Sequence, residues 1–163
     1  MDTNNIQLIP GYGYKAEIGA LFSEYTRMLV EGDSHFKVYL DMQNYDEELE
    51  HLEHKYGEPD GRLYIALSEG KPAGCIALRK IDEESCELKR LYVRPEFRGQ
   101  HLGELLANKI IEDARIIGYK QILLDTLPFL ESAIYIYKKL GFTVIEKYNN
   151  SPMDNSIYMK YEL

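Results

Sequence analysis

Cysteine is scarce in this 163-residue chain: only Cys75 and Cys86 occur. Both sit in segments with strand character, so neither a disulfide framework nor a paired-cysteine zinc site has support. A reducing cytoplasm is the expected setting. Also missing is any apolar run near the ~18 residues needed to cross a bilayer. The opening MDTNNIQLIPGYGYK has no basic start followed by an apolar stretch, so a soluble cytoplasmic protein is expected. Positive charge is in short supply, with 19 Lys and Arg against 27 Asp and Glu for a net −8. Nucleic acid and anionic membranes would be repelled, and neither is an expected partner. No repeat, low-complexity segment or linker-like shift in composition divides the chain. With 45% hydrophobic residues it can bury one core, and residues 1–163 are expected to form a single domain.

Several signatures of chemistry are absent as well. No GK[ST] closes an ATP-type phosphate loop and no GxGxxG marks a dinucleotide site. Ser132 and Ser151 lack a GxSxG elbow. His35, His51 and His54 are scattered through an acidic, helical region. His51 and His54 are spaced to share a face, but no third ligand follows in register, and a solvated surface explains them better than zinc. No metal is expected.

What is present reads as a succession of short elements. NIQLI is an opening strand ended by Pro10, Gly11 and Gly13. From Lys15 to Val30, Ile18, Leu21, Phe22, Tyr25, Met28 and Leu29 recur at helical spacing, and Gly32 stops the helix. The segment from Phe36 to Tyr56 mixes aromatics with acids, and YDEELEHLEHKYG reads as a second, more solvated helix ending near Gly57. RLYIALS and KPAGCIALRKI, joined at Glu69 and Gly70, form a hairpin that SCELKRLYV extends into an antiparallel meander. After Pro95, Leu102, Leu105, Leu106, Ile110, Ala114 and Ile117 make an apolar helix stripe that ends at Gly118. KQILLDT then has buried-strand character, and the long helix before it implies a parallel crossover. The helix FLESAIYIYKKLGF, capped at Gly141, leads to two closing strands in TVIEKY and SIYMKYEL. The expected class is mixed α/β, a mostly antiparallel sheet with one parallel strand–helix–strand crossover.

The junction RLYVRPEFRGQHLGELL passes from strand through glycines into a helix. Helix starts carry unpaired N–H groups and about half a positive charge, which suits phosphate. Between Lys89 and His101 four basic residues (Lys89, Arg90, Arg94, Arg98) face one acid, Glu96, a local excess that favours a polyanion at this point alone. On the glycines alone, a plain tight turn is as good an explanation.

The stretch YVRPEFRGQHLGELL resembles the acetyl-CoA signature of the GCN5-related N-acetyltransferases (GNAT), written Q/R-x-x-G-x-G/A. Arg98 fills its first place, His101 its fourth and Gly103 its sixth. GYKQILLDT and AIYIYKKLGF are similar to the family's fifth strand and following helix, so the likeness covers roughly Leu63 to Phe142. Two positions depart. His101 stands where glycine is usual, which is tolerable if the backbone is helical there, and Leu130 replaces an asparagine that often contacts the cofactor arm. The resemblance implies a GNAT fold with helices on both sheet faces and acetyl-CoA as co-substrate. It also implies that the amides of Gly99, Gln100, His101, Leu102 and Gly103 cradle the pyrophosphate, the His101 imidazole being dispensable.

Acetyl transfer to an amine requires a deprotonated nucleophile, a stabilised oxyanion and a leaving sulfur. By resemblance, Glu87, eleven residues before Arg98, takes the place of a catalytic base; the plainer reading pairs it with Lys89 or Arg79 across neighbouring strands. The amides of Leu91 and Val93 take the oxyanion role. Tyr137 takes the place of the tyrosine near the CoA sulfur. A phenol of pKa ~10 is a poor proton donor to a thiolate of conjugate pKa ~8.5, so hydrogen bonding is the expected service.

The family builds acceptor pockets from its first helices and late strands. Here those carry Tyr25, Phe36, Tyr39, Tyr45, Tyr148 and Tyr158, with Glu24, Glu31, Asp33, Asp41, Asp46, Glu47 and Glu48 crowded into the first part. The acids suggest an amine-bearing, cationic acceptor. Arg79 at the end of GCIALR suggests a grip on a carboxylate. The acceptor is expected to be a small primary amine such as an amino acid or a polyamine. A catalytically inactive acyl-CoA sensor is the rival reading, and an edge strand or SIYMKYEL offers a surface for a homodimer.

Overall fold

Alternating apolar residues and short turns build a seven-stranded sheet in the computed structural model, which describes residues 5–163. The four residues before them, part of the segment read for a leader, lie outside the described residues. The chain runs β1 (Ile6–Pro10), α1 (Lys15–Gly32), α2 (Phe36–Met42), α3 (Tyr45–Glu50), α4 (Leu52–Tyr56), β2 (Arg62–Ser68), β3 (Lys71–Lys80) and β4 (Ser85–Val93). It continues through α5 (Leu102–Ile117), β5 (Gln121–Thr126), α6 (Glu131–Leu140), β6 (Thr143–Ile145) and β7 (Ile157–Glu162). The sheet order is β1-β2-β3-β4-β5-β7-β6, and β4 with β5 is its one parallel pair. Leu106, Ile110 and Ala114 of α5 and Tyr137 of α6 cover one face. Ile18, Leu21 and Phe22 of α1 with Leu52 and Tyr56 of α4 cover the other. Among the described residues no helix is long and apolar enough to cross a membrane.

The meander forms as read, with Glu69 (φ 50°) and Gly70 (φ 80°) making a tight β2–β3 turn. Two expectations need correction. The helix read over YDEELEHLEHKYG is two short ones, α3 and α4, broken at His51 (φ −132°, ψ 67°), and Asn44 in the left-handed region (φ 54°) parts them from α2. The breaks turn Gln43 and Glu48 inward to meet β4, an arrangement one straight helix would not allow. SIYMKYEL does not offer a free edge along its centre: β7 lies between β5 and β6, and Tyr158, Met159 and Lys160 pair on both sides. TVIEKY is a strand only from Thr143 to Ile145.

The feature that positions the site is an irregularity in β4. Cys75 pairs with Tyr92 and Ala77 with Lys89, so the single residue Ile76 faces both Arg90 and Leu91. This β-bulge places Arg90 at φ 62°. Gly74 lies alongside, and a Cβ there would come within 2.6 Å of the Tyr92 carbonyl oxygen. Pairing of β4 with β5 ends at Glu87 with Leu123, just ahead of the bulge, and the rest of β4 runs on without β5 beside it.

Candidate functional site

The parting of β4 and β5 opens a cleft of about 760 Å³. Its walls come from β4 (Leu88 to Val93), the starts of α5 and α6, the end of β5, and α1 with α2. The Arg94 amide donates to the Ala73 carbonyl at 2.8 Å. Because amide direction alternates along an extended strand, Val93 and Leu91 turn their N–H groups to the opposite edge, where β5 has withdrawn. Two fixed donors therefore face the opening.

The cleft runs on to the start of α5. The Leu105 amide donates to the His101 carbonyl, so the amides before it have no partner in the helix. Gly99 (φ 89°) and His101 (φ 59°, ψ 24°) are both left-handed. His101 is therefore not at a helical start, as the sequence reading required, but in the conformation that explains why glycine is usual there. Arg98, Gly99, His101, Leu102 and Gly103 line the cleft, and Gln100 does not, its side-chain carbonyl accepting from Ser68 at 3.1 Å. The presumed basic cluster is dispersed. Lys89 and Arg90 point to the α2–α3 side, and Arg94 is bound by Glu24 at 2.7 and 3.0 Å. Arg98 alone stays at the turn, with Lys139 on the opposite wall, 3.0 Å from Glu104.

Behind the cleft lies a buried polar network. Glu48 accepts from Arg90 Nε and Nη2, each at 2.8 Å, and from Lys55 at 2.9 Å. Burial by itself would raise its carboxyl, but Arg90 and Lys55 overrule burial and hold it at about 2. Gln43 Oε1 accepts from Lys89 Nζ at 2.8 Å and from Arg90 Nη2 at 2.9 Å. Lys89 is buried and lines the cleft, and burial together with the neighbouring Arg90 brings its ammonium down to about 8.

Glu87 stands where the plainer of its two sequence readings put it, paired with Arg79 across neighbouring strands, and Arg79 does not point into the cleft. Neither lines the cleft. They face each other across β3 and β4, Arg79 Nε donating to Glu87 Oε1 at 2.8 Å, and the other Glu87 oxygen accepts from Tyr148 at 2.5 Å. Glu87 is 2% exposed. Burial acts to raise its carboxyl, yet Lys89, Arg79 and the Tyr148 hydrogen bond bring it below its usual value, which weakens it as a base. Arg79 instead borders a separate depression with His54, Lys55 and Asp60. The crowded acids are also elsewhere: Glu24 and Glu48 are paired with arginines, while Glu31, Asp41, Asp46 and Glu47 are exposed and absent from the lining.

Tyr25, Phe36, Tyr39 and Tyr137 do line the cleft. Tyr137 is buried against Phe142, and its hydroxyl makes no hydrogen bond among the described residues. Burial raises it well above the ordinary phenol range, with Tyr25 and Asp125 adding to the effect, so it stays protonated. Burial likewise pushes Tyr25 up to about 12 against the pull of Arg90. Three acids of the lining, Glu104, Asp125 and Glu131, escaped the sequence reading, and Asp125 is the one carried by the sheet. Asp125 ends the apolar run ILLD of β5, and that placement of a carboxylate on a buried strand was its only signal. Its Oδ2 accepts from Tyr39 and, at 2.9 Å, from Asn149. Its Oδ1 has no partner among the described residues. His51 and His54 stack with ring centroids 4.8 Å apart, and no three metal-ligating side chains converge among the described residues.

Known proteins resemble this chain in sequence and in fold. The profile of the acetyltransferase (GNAT) family matches residues 23–142. An uncharacterized N-acetyltransferase of Schizosaccharomyces pombe is 42% identical over 130 residues, covering 78% of this chain and 80% of its own. An acetyltransferase structure from Streptococcus agalactiae superimposes over the full length of both chains with a TM-score of 0.75 at 24% identity, a likeness of fold. A GNAT acetyltransferase from Elizabethkingia anophelis with acetyl-CoA bound covers 64% of this chain and 77% of its own, at 26% identity and a TM-score of 0.55. The profile match spans both walls of the cleft, from α1 to the end of α6, and on that ground this chain belongs to the acetyltransferase (GNAT) family.

Proposed function

We propose that this chain, acting as one domain, moves an acetyl group from acetyl-CoA to the primary amine of a small molecule, such as an amino acid or a polyamine, by direct attack. The observation that carries the reading is the parting of β4 and β5, with the Leu91 and Val93 amides on its edge and the free amides of α5 at its end. Bound acetyl-CoA supplies an acyl group already activated as a thioester. The amides of Gly99, His101, Leu102 and Gly103 suit its pyrophosphate, since they line the cleft and precede the first hydrogen bond of α5. Lys139 neutralises Glu104, the one carboxylate beside those amides, which would otherwise repel phosphate.

The Leu91 and Val93 amides stabilise the oxygen of the attacked carbonyl, and being part of the sheet they need no reorganisation. Tyr137, kept protonated by burial, donates a hydrogen bond to the departing sulfur. Amine deprotonation falls to Asp125, the lining carboxylate at the parting of the strands, rather than to Glu87, whose two oxygens are occupied by Arg79 and Tyr148.

Thiol release from acetyl-CoA, followed over a panel of amino acids, polyamines and other amines, tests the reading. Acetyl-CoA at 100 times its dissociation constant should also stabilise the fold by about 2.7 kcal/mol. Stabilisation without thiol release for any amine would favour an acyl-CoA sensor, and no stabilisation would remove acetyl-CoA from the reading.

A further inference from the structure

Glu87 with Leu123 is the last paired step between β4 and β5. Two residues farther along each strand, and so on the same face of the sheet, stand Lys89 and Asp125. Both line the cleft, on opposite sides of its opening. They carry opposite charge and form no ion pair within 4.0 Å. Each also has capacity left over. Lys89 makes one close hydrogen bond, to Gln43, and lies 3.7 Å from a Glu87 oxygen that Arg79 already holds. Asp125 uses only Oδ2.

The charges behind Lys89 do not balance. Four cations, Lys55, Arg79, Lys89 and Arg90, meet two carboxylates, Glu48 and Glu87. Arg79 and Lys55 are partly exposed at the rim, while Lys89 and Arg90 are buried. The two buried carboxylates match the two buried cations in number, but Glu87 is already taken up by Arg79 and Tyr148, so the buried side keeps donor capacity for an anion in the open cleft. Arg90 is saturated by Glu48 and Gln43, which leaves Lys89 as the group that can take it. A polyamine would bring a second cation to the same place and be repelled.

We infer that the acceptor is an aminocarboxylate whose carboxylate is held by Lys89 while its amine lies against Asp125. This deepens the acetyl-transfer reading and rests on it for the position of the reacting amine. Tyr39 and Asn149 fix the Asp125 carboxylate from behind, so the two charged groups form a rigid pair of anchors separated by the width of the opening.

The experiment compares amino acids with the amines left when their carboxylate is removed, in the wild-type protein and in Lys89→Met. Two readouts are taken: kcat/KM for acetylation, and calorimetric binding of the amino acid to the protein saturated with CoA. A charged hydrogen bond of the usual strength corresponds to roughly 10- to 100-fold. The wild type should prefer the amino acid by that factor, and Lys89→Met should lose the preference while leaving the decarboxylated amine almost unaffected. Equal handling of the two in the wild type, or a preference that survives in Lys89→Met, overturns the inference. If no amine is acetylated, the acetyl-transfer reading fails. Calorimetry still decides the subsite, because binding of an amino acid that Lys89→Met abolishes supports it and absence of binding sinks it. Asp125→Asn, which keeps an acceptor oxygen for Tyr39 and Asn149, provides a second variant should Lys89→Met fail to fold. It should weaken amino acid binding comparably, and unchanged binding in it contradicts the amine anchor.

Discussion

Glu48 grips Arg90 through two hydrogen bonds of 2.8 Å, with both side chains shut off from solvent. The grip explains how a residue as bulky as arginine persists at φ 62° in the middle of β4, a conformation that costs on the order of 1–2 kcal/mol outside glycine. Because Arg90 and Lys55 lower the folded carboxyl to about 2 from 4.5, the unfolded chain takes up the proton first on acidification. The stabilisation, about 3 kcal/mol, is therefore complete above pH 4.5 and lost as the pH falls towards 2. Urea titrations should show that slope, and Glu48→Gln should remove it. The variant should also lose several kcal/mol at neutral pH, since it strands a buried guanidinium.

Lys89 has the opposite sign. Its ammonium is lowered from 10.5 to about 8, so its charge is a penalty, present in full below pH 8 and relieved as the pH rises towards 10.5. Lys89→Met strands nothing: Gln43 keeps Arg90, and Glu87 keeps Arg79 and Tyr148. It should be more stable than the wild type by about 1–3 kcal/mol at pH 7, read as a higher denaturant midpoint, even as it loses acceptor recognition. A lower midpoint would mean that the cluster needs this charge to fold.

His101 is exposed and left-handed, and its imidazole makes no hydrogen bond among the described residues. His101→Gly should stabilise the fold by about 0.5–1 kcal/mol and leave the acetyl-CoA KM within a factor of two, since the proposed contact to phosphate is through the amide alone. His101→Val, β-branched at positive φ, should destabilise. A large KM change in the glycine variant would give the imidazole a binding role.

Much of this arrangement was legible in the sequence because its signals are local. Gly70 at the hairpin, and Gly118 and Gly141 at the ends of α5 and α6, all adopt positive φ, and the stripes of α5 are as spaced. What could not be read was set by distant partners. The breaks in the Phe36–Tyr56 segment fall at Asn44 and His51, neither a glycine nor a proline, and turn Gln43 and Glu48 towards β4. The bulge at Arg90 depends on Glu48 from another element. Arg79 is drawn out of the cleft by a register that sets it opposite Glu87. The acids of the first helices were counted as one patch, although two of them neutralise arginines and several others face solvent.

Tyr137→Phe separates chemistry from packing. Its hydroxyl has no partner among the described residues, and the ring keeps its contact with Phe142. The melting temperature should be nearly unchanged. Loss of a hydrogen bond to a sulfur that gains charge should lower kcat by roughly 10-fold or more with little change in KM. The deficit should shrink with an acyl thioester whose thiol is more acidic, since that leaving group needs less help.

Asp125 and Glu87 make opposing claims as the amine's base, and the pH dependence of the rate divides them. An alkylammonium of pKa ~10.4 supplies about one neutral amine in a thousand near pH 7. With Asp125 in place, the ammonium is drawn in by opposite charge and gives up its proton at the site. In Asp125→Asn the amine must arrive neutral. Its kcat/KM should fall by about 100-fold or more at pH 7 and climb close to tenfold per pH step, approaching the wild type near the amine's own pKa. Glu87→Gln should behave differently, because Arg79 and the buried Lys89 lose the charge they share. The loss there is in stability, measured by denaturant, with a pH–rate profile parallel to that of the wild type. If the steep profile appears in Glu87→Gln instead, the proton leaves through Lys89 and the buried network, and the base is the glutamate behind the cleft.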